Sequence, residues 1–295
     1  MNRLAIIIVL LVGCGSSGSW SEQPVPEPTA LTTYTVWVAG DNDVWLGGSA
    51  IWHFDGSSWT ESAPGYVAGF WGFSPSDIFA VSDHAVRHWD GSAWTDMPAT
   101  NGVTFAALYR VWGASKNDLW IANTDNSRVY HYDGTQWSVT TLQFVAATGL
   151  WGTSASDIWL SGTFNLYHYD GTSWMQYQGN DDPHGVYGFW GAGPSDVWAA
   201  GGFNGISHWN GSAWTAPEEN LDADFNGVWG AAADDIYAVG DNGAFGHYDG
   251  SSWSVSQELD VRENFTMVHG SSRENLWATS VDVGALKAKV LRYEP

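Results

Sequence analysis

One phrase recurs along this chain at a spacing near 40 residues. Trp71-Gly72-Phe73-Ser74-Pro75-Ser76-Asp77-Ile78-Phe79 returns as Trp112-Gly113-Ala114-Ser115-Lys116-Asn117-Asp118-Leu119-Trp120. It comes again at Trp151, Trp190 and Trp229, and in weaker form at Trp37 and at His269-Gly270. Subtraction gives steps of 34, 41, 39, 39, 39 and 40 residues between these anchors. A period of that size with strand-like content means that one supersecondary unit is copied and stacked on its neighbours. Each unit has a second half, His53-Phe54-Asp55-Gly56-Ser57-Ser58-Trp59 in the first, ending at Trp94, Trp137, Trp174, Trp214 and Trp253 in the others.

Each unit reads as four short strands. The first carries an apolar-Trp-Gly core and runs through a compact turn into the second, as in Asp77-Ile78-Phe79-Ala80-Val81. The third shows period-two alternation, clearest in Ile206-Ser207-His208-Trp209. Asp-Gly at 55–56, 90–91, 133–134, 170–171 and 249–250, and Asn210-Gly211 in the fifth unit, predict type I′ hairpin turns into a fourth strand ending Ser-x-Trp. Four antiparallel strands copied seven times, with no helical period, predict an all-β chain: a seven-bladed β-propeller. A stacked solenoid would need capping repeats at its ends, and the chain has none.

The seventh unit stops at Leu291-Arg292-Tyr293-Glu294-Pro295, before a fourth strand. A spare copy stands near the start: Gly18-Ser19-Trp20-Ser21-Glu22 matches Gly56-Ser57-Ser58-Trp59-Thr60-Glu61. Residues 18–22 are therefore expected to complete the last blade and cover an edge that would otherwise be free to pair with another chain.

Upstream of that strand the sequence is an address. Met1-Asn2-Arg3 is a short basic region and Leu4 to Val12 is continuously apolar, too short for the roughly 20 residues of a membrane span. Leu11-Val12-Gly13-Cys14 resembles a bacterial lipobox, and Cys14 is the only cysteine in the chain. The resemblance implies a signal peptide over 1–13, lipidation of Cys14 and a tether over 14–17, ahead of the propeller that the repeat predicts over 18–295. It also implies residence at the bacterial cell envelope, with a membrane contact through the lipid.

The whole unit, Trp-Gly-x-Ser-x-x-Asp-Ile-Trp followed by His-Tyr-Asp-Gly-x-x-Trp, resembles the repeat of bacterial propeller lipoproteins. More distantly it is similar to kelch, Asp-box and tectonin propellers. It lacks the tandem glycines of kelch, and its Asp-to-aromatic spacing is one residue shorter than that of the Asp-box. Those families include sugar-binding proteins, glycosidases and assembly scaffolds, so the resemblance bears on fold far more than on activity.

Six of the nine histidines occupy one repeat position: His53, His88, His131, His168, His208 and His247. Asp43, Asp77, Asp118, Asp157, Asp196 and Asp235 start the second strands. Antiparallel pairing puts each Asp and His at the same end of one hairpin, one pair per blade on a wide ring. They cannot converge on a shared ion, and six structural hydrogen bonds are expected. The seventh unit changes both positions together, to Asn275 and Arg292. The repeated Trp residues are expected in the packing between blades.

The formal charge of −22 excludes a nucleic-acid footprint, which needs clustered Lys and Arg. No nucleophile-base pair, phosphate loop or close-set metal motif stands out, so no catalytic residue is assigned. Function is expected on the variable loops, which topology gathers on one face. Three of them are acidic: Asp181-Asp182, then Glu218, Glu219, Asp222 and Asp224, then Glu258 and Asp260, interleaved with Tyr177, Tyr187, Phe203 and Phe225. Arg110 replaces a residue that is Gly69, Gly149, Gly188 and Gly227 in other units, so it is expected at the mouth of the central channel.

The expected activity is non-catalytic binding or scaffolding of a protein partner through that acidic face, by a monomer. Asp181, Asp182, Tyr187, Phe203, Asp222, Asp224 and Arg110 are the contact candidates. A carbohydrate-binding propeller would instead present aromatics in a pocket, and a glycosidase or lyase would need carboxylates at the channel mouth. No cofactor is expected beyond a loop-bound divalent cation such as calcium.

Overall fold

The computed structural model describes residues 18–26, 34–143, 146–179, 183, 185–201, 205–219 and 221–294. They form seven antiparallel sheets of four strands each. Blade three is representative: Leu108–Ser115, Asp118–Asn123, Arg128–Tyr132 and Trp137–Thr141 pair in that order from the axis outward. The first strands of neighbouring blades touch all the way round, and Thr35–Gly40 of blade one meets Glu263–Ser272 of blade seven. The fold is a closed seven-bladed propeller. The only helix among the described residues is a single 3₁₀ turn at Asp241–Gly243.

Closure comes from the N-terminal strand. Ser19–Gln23 pairs antiparallel with Lys287–Glu294, Trp20 opposite Tyr293 and Ser21 opposite Arg292. The Trp20 ring then reaches Phe245, Phe265 and Tyr293 at centroid distances of 5.6, 5.3 and 5.2 Å. The strand thus joins the chain's two ends by main-chain pairing and seats one large aromatic between blades six and seven.

The Trp-Gly phrase has a packing cause. A Cβ placed on Gly72, Gly152, Gly191, Gly230 or Gly270 would lie 2.7–3.0 Å from the indole of Trp37, Trp112, Trp151, Trp190 or Trp229 respectively. Each of these Trp residues belongs to the preceding blade, so its ring lies flush on the next blade's glycine. At Gly113 the nearest ring is instead that of Phe73, 2.9 Å away. The first blade breaks the rule from both sides: its residue after Trp37 is Val38, and the blade before it carries His269 where a Trp would stand. The imidazole leaves room for the valine, and its Nδ1 accepts a hydrogen bond from the Val38 N–H at 3.1 Å.

The aspartates and histidines meet blade by blade. Nε2 of His53, His88, His131, His168, His208 and His247 lies 2.8, 2.6, 2.9, 2.6, 2.7 and 2.8 Å from Oδ1 of Asp43, Asp77, Asp118, Asp157, Asp196 and Asp235. Each imidazole also stacks on its cross-strand aromatic, for example His131 on Trp120 at 4.0 Å and His247 on Tyr237 at 4.6 Å. Carboxylate, imidazole and aromatic ring together lock the second and third strands. Blade seven solves the same problem differently: Trp277 donates to Asn275 Oδ1 at 3.0 Å, and the Arg292 guanidinium lies 5.5 Å from the Trp277 ring centroid.

The Asp-Gly turns differ from the type I′ expectation. Gly56, Gly91, Gly134, Gly171, Gly211 and Gly250 have φ between 88° and 93°, whereas the Asp or Asn before each glycine does not have positive φ. Four residues link the strands, not two, since Phe54 pairs with Trp59 across Asp55-Gly56-Ser57-Ser58. The aspartate acts through its side chain: Asp55 Oδ1 accepts from the Ser57 hydroxyl at 2.7 Å, from Ser57 N at 2.8 Å and from Ser58 N at 2.9 Å. These bonds, the hydroxyl's first, hold the Asp55 carboxyl at about 2, below its ordinary 3.8. The same fork holds Asp90, Asp133 and Asp249 at about 2. A turn that needs an acceptor at its first residue and a glycine at its second produces the repeated Asp-Gly signature.

Candidate functional site

Two features stand on the variable-loop face. The first is an open groove of about 800 Å3 between blades five and six, lined by Glu218, Glu219, Leu221, Asp222, Asp224 and Asp241 among others, with no Lys or Arg among the described residues of its lining. Glu218, Glu219, Asp222 and Asp224 are exposed, and Asp222 has a left-handed φ of 45°. The carboxylates stand where the connection from Trp214–Thr215 to Phe225–Ala232 crosses the rim. Further round, the acidic run is internally compensated: Asp260 accepts from Arg262 at 3.2 Å, and Glu258 accepts from Ser256 at 2.6 Å. Hydrogen bonding from the Arg262 backbone, then its side chain, holds the Asp260 carboxyl below the usual range. Among the described residues, no three His, Cys, Asp or Glu side chains come together as a metal site.

The second feature is the central channel. Its body is a cavity of about 350 Å3 lined by Trp37, Trp71, Trp151, Trp190, Trp229 and His269 with their apolar neighbours. Above it, on the loop face, lies a mouth of about 330 Å3 lined by Tyr34, Tyr66, Tyr109, Tyr187, Arg110 and Asn226 among others. The first strands build this mouth in the same way. A register shift falls between Leu108 and Arg110, between Ala147 and Gly149, between Val186 and Gly188, between Phe225 and Gly227, and between Phe265 and Met267. Such a bulge re-aims the side chain of the extra residue. These residues are Tyr109, Thr148, Tyr187, Asn226 and Thr266; all but Thr148 line the mouth.

Arg110 sits one residue further in. Glycine stands at four of its six counterparts, and packing favours it there: a Cβ on Gly69 would lie 2.7 Å from the Tyr109 carbonyl oxygen, and one on Gly188 3.2 Å from the Gly227 Cα. Arg110 lines both channel cavities. Its Nε donates to the Thr148 carbonyl at 3.0 Å, and its guanidinium lies 4.0 Å from the Tyr109 ring centroid. The phenol of Tyr66, 40 % exposed, is raised above its ordinary value, first by burial and then by Tyr109 and Asp83, with Arg110 opposing.

The expected contact residues therefore divide. Asp222 and Asp224 line the groove, and Arg110 and Tyr187 line the mouth. Tyr187 is 48 % exposed. Asp181, Asp182, Phe203 and Cys14 lie outside the described residues. Phe225, expected among the loop aromatics, is instead core: it opens the first strand of blade six, is 1 % exposed and lies 6.4 Å from Trp253. Tyr177 is partly buried and packs on Trp159 and Trp209 at 6.0 and 5.8 Å. Tyr34, Tyr66, Tyr109 and Asn226 were absent from the sequence-based list. Tyr34, Tyr109 and Asn226 occupy the residue just before the glycine position of their first strands, a position that varies between units, whereas Tyr66 lies in the loop ahead of its strand.

His269 makes the channel wall pH-sensitive. Desolvation pushes its imidazole from 6.5 down to about 3. The ring is only partly buried and lines the channel cavity, so the penalty is smaller than in a sealed site. The folded value lies below the unfolded one, so the unfolded chain takes up the proton first. The neutral ring's contribution is complete above pH 6.5 and is lost as pH falls from 6.5 toward 3. The turn aspartates lose theirs only below about pH 4, so they stay constant across the pH 7 to pH 5 range in which His269 acts. His269→Asn keeps an acceptor for Val38 but cannot charge. The native chain should lose about 1–2 kcal/mol more stability than this variant between pH 7 and pH 5 in urea titrations, at about 1.4 kcal/mol per unit. Parallel pH profiles would remove the charge argument.

No family model matches the chain, and no curated protein matches its sequence. Solved structures do match, through their fold. A structure described as YCF48 bound to D1 peptide aligns with TM-score 0.68 at 14 % identity, over 94 % of this chain and 95 % of that one. A streptogramin B lyase aligns with TM-score 0.73 at 13 % identity, over 94 % and 97 %. The WD40 repeats of RRP9 align with TM-score 0.73 at 9 % identity, over 94 % and 97 %. At such identities the likeness establishes the propeller fold alone.

Proposed function

We propose that this chain is a non-catalytic binding propeller that recognises a cationic polypeptide segment on its variable-loop face. The observation that carries this is the groove between blades five and six, where Glu218, Glu219, Asp222, Asp224 and Asp241 line an open trough with no basic residue among the described ones. The net charge of −22 steers basic ligands to the surface at low ionic strength. The solved propellers named above include one whose description names a bound peptide.

Anchorage through Cys14 belongs to the same proposal. The strand Ser19–Gln23 begins opposite Glu294, at the short-turn face of blade seven. A lipid on Cys14 would be four residues away, a reach of roughly 14 Å when extended. The short-turn face would then lie toward a cell-envelope membrane and the groove away from it, open to a partner.

The test is titration with a Lys/Arg-rich decapeptide at low and physiological salt. E218Q/E219Q/D222N/D224N should weaken binding about tenfold or more, while moving the thermal midpoint little because exposed charges carry little stability. Asn tolerates the left-handed φ at position 222, so that substitution leaves the loop unstrained. Unchanged peptide affinity in a folded quadruple variant would overturn the assignment.

A further inference from the structure

The channel mouth has a different chemistry from the groove, and we infer that it is a second binding site, for a small organic carboxylate carried on a flat apolar ring. Among the described residues, Arg110 is the only basic one lining it. The side chain is fixed at two points, by the Nε bond to the Thr148 carbonyl and by the Tyr109 ring beneath it. Its terminal nitrogens make no hydrogen bond and no ion pair with any described residue. An arginine oriented in this way offers its planar end to a carboxylate, which that geometry matches in bidentate fashion. The one carboxylate in the mouth's lining, Asp241, stands three blades further round, and one of its oxygens is taken by the Asn226 amide at 2.7 Å.

The remaining lining sets the body of the ligand. Tyr66 and Tyr187 are 40 % and 48 % exposed, so their rings present apolar faces to whatever enters. Below them the body of the channel is lined by Trp37, Trp71 and Trp190 among others. Cavities of about 330 and 350 Å3 fall at the lower end of the range for small-molecule sites. One cation at the rim over an aromatic, apolar well selects a ligand charged at one end and flat and apolar at the other. The strands argue for selection at this position too. Four blades place glycine where Arg110 stands, so the arginine is not required for the ring to close.

Indole-3-acetate and its neutral partner indole-3-acetamide probe the charge, and glucuronate probes the ring. By calorimetry on the full propeller, indole-3-acetate should bind about tenfold or more tightly than the amide, the range of a charge-assisted bond. Arg110→Gly installs the residue of blades two, four, five and six, so it should stay folded, and it should bring the two ligands within about twofold of each other. Arg110→Lys keeps the charge without the fork and should fall between. Equal binding of acid and amide, retained discrimination in Arg110→Gly, or binding of neither indole would overturn the proposal. Glucuronate binding as tightly as indole-3-acetate would overturn the apolar well.

Discussion

A chain that starts at Pro24 should melt on the order of 10 °C below one that starts at Gly18, and it should self-associate. Two losses combine. Trp20, partly buried, leaves a pocket walled by Phe245, Phe265 and Tyr293, and the cost of deleting a fully buried tryptophan side chain, about 3–5 kcal/mol, is the upper bound of that loss. The strand Lys287–Glu294 also becomes an open edge, with unpaired main-chain groups that offer themselves to a second copy. Trp20→Ala separates the effects, because it removes the ring and leaves the backbone pairing: the midpoint should fall while the protein stays monomeric. A synthetic peptide of residues 18–26 added to the shortened chain should restore the monomer, since it rebuilds the pairs from Ser19 with Glu294 to Gln23 with Val290. Light scattering and thermal unfolding decide the matter. A shortened chain that stays monomeric with an unchanged midpoint would show that the last blade does not need its fourth strand.

That closure was legible because a missing strand at one end and a spare one at the other are both visible as text. The seven units were legible for the same reason: the Trp-Gly spacing is imposed by contact between blades, so it cannot drift. The turn type was not, because Asp-Gly is shared by two solutions. Two positive φ values make a type I′ hairpin, whereas here one positive φ and an aspartate fork make a four-residue loop. The groove was half legible: Asp222 and Asp224 announced themselves by charge, but their meeting with Asp241 depends on how two blades sit side by side. The channel mouth was hardest. Tyr66 lies in an inter-blade loop, and Tyr109 and Tyr187 reach the rim only because bulges re-aim them. Bulges leave no residue signature of their own. The burial of Phe225 was missed for the opposite reason. Neighbouring loop charges hid the fact that it is the first residue of an inner strand.

His269→Trp should be harmful alone and tolerated beside Val38→Gly. The substitution restores the residue of six other units, so a repeat consensus would call it stabilising. Its surroundings say otherwise. Where the indole of one blade meets the next, five glycines would suffer a Cβ contact at 2.7–3.0 Å, and blade one offers Val38, only 4 % exposed, in that place. An indole at 269 therefore overpacks the seam, at about 1–3 kcal/mol. It also removes the acceptor of the Val38 N–H, since indole only donates, and an unsatisfied buried donor costs about 1–3 kcal/mol more. Val38→Gly alone leaves a void beside the smaller imidazole and should destabilise as well. Together the two changes rebuild the packing that Trp37 makes on Gly72, so the double variant should be about 1–3 kcal/mol more stable than the sum of the single losses in a double-mutant cycle. Only the packing part can be recovered, because the Val38 amide keeps its lost acceptor. Additive single effects in urea titrations would mean that His269 and Val38 are independent, and that the seam between blades seven and one closes by some other contact.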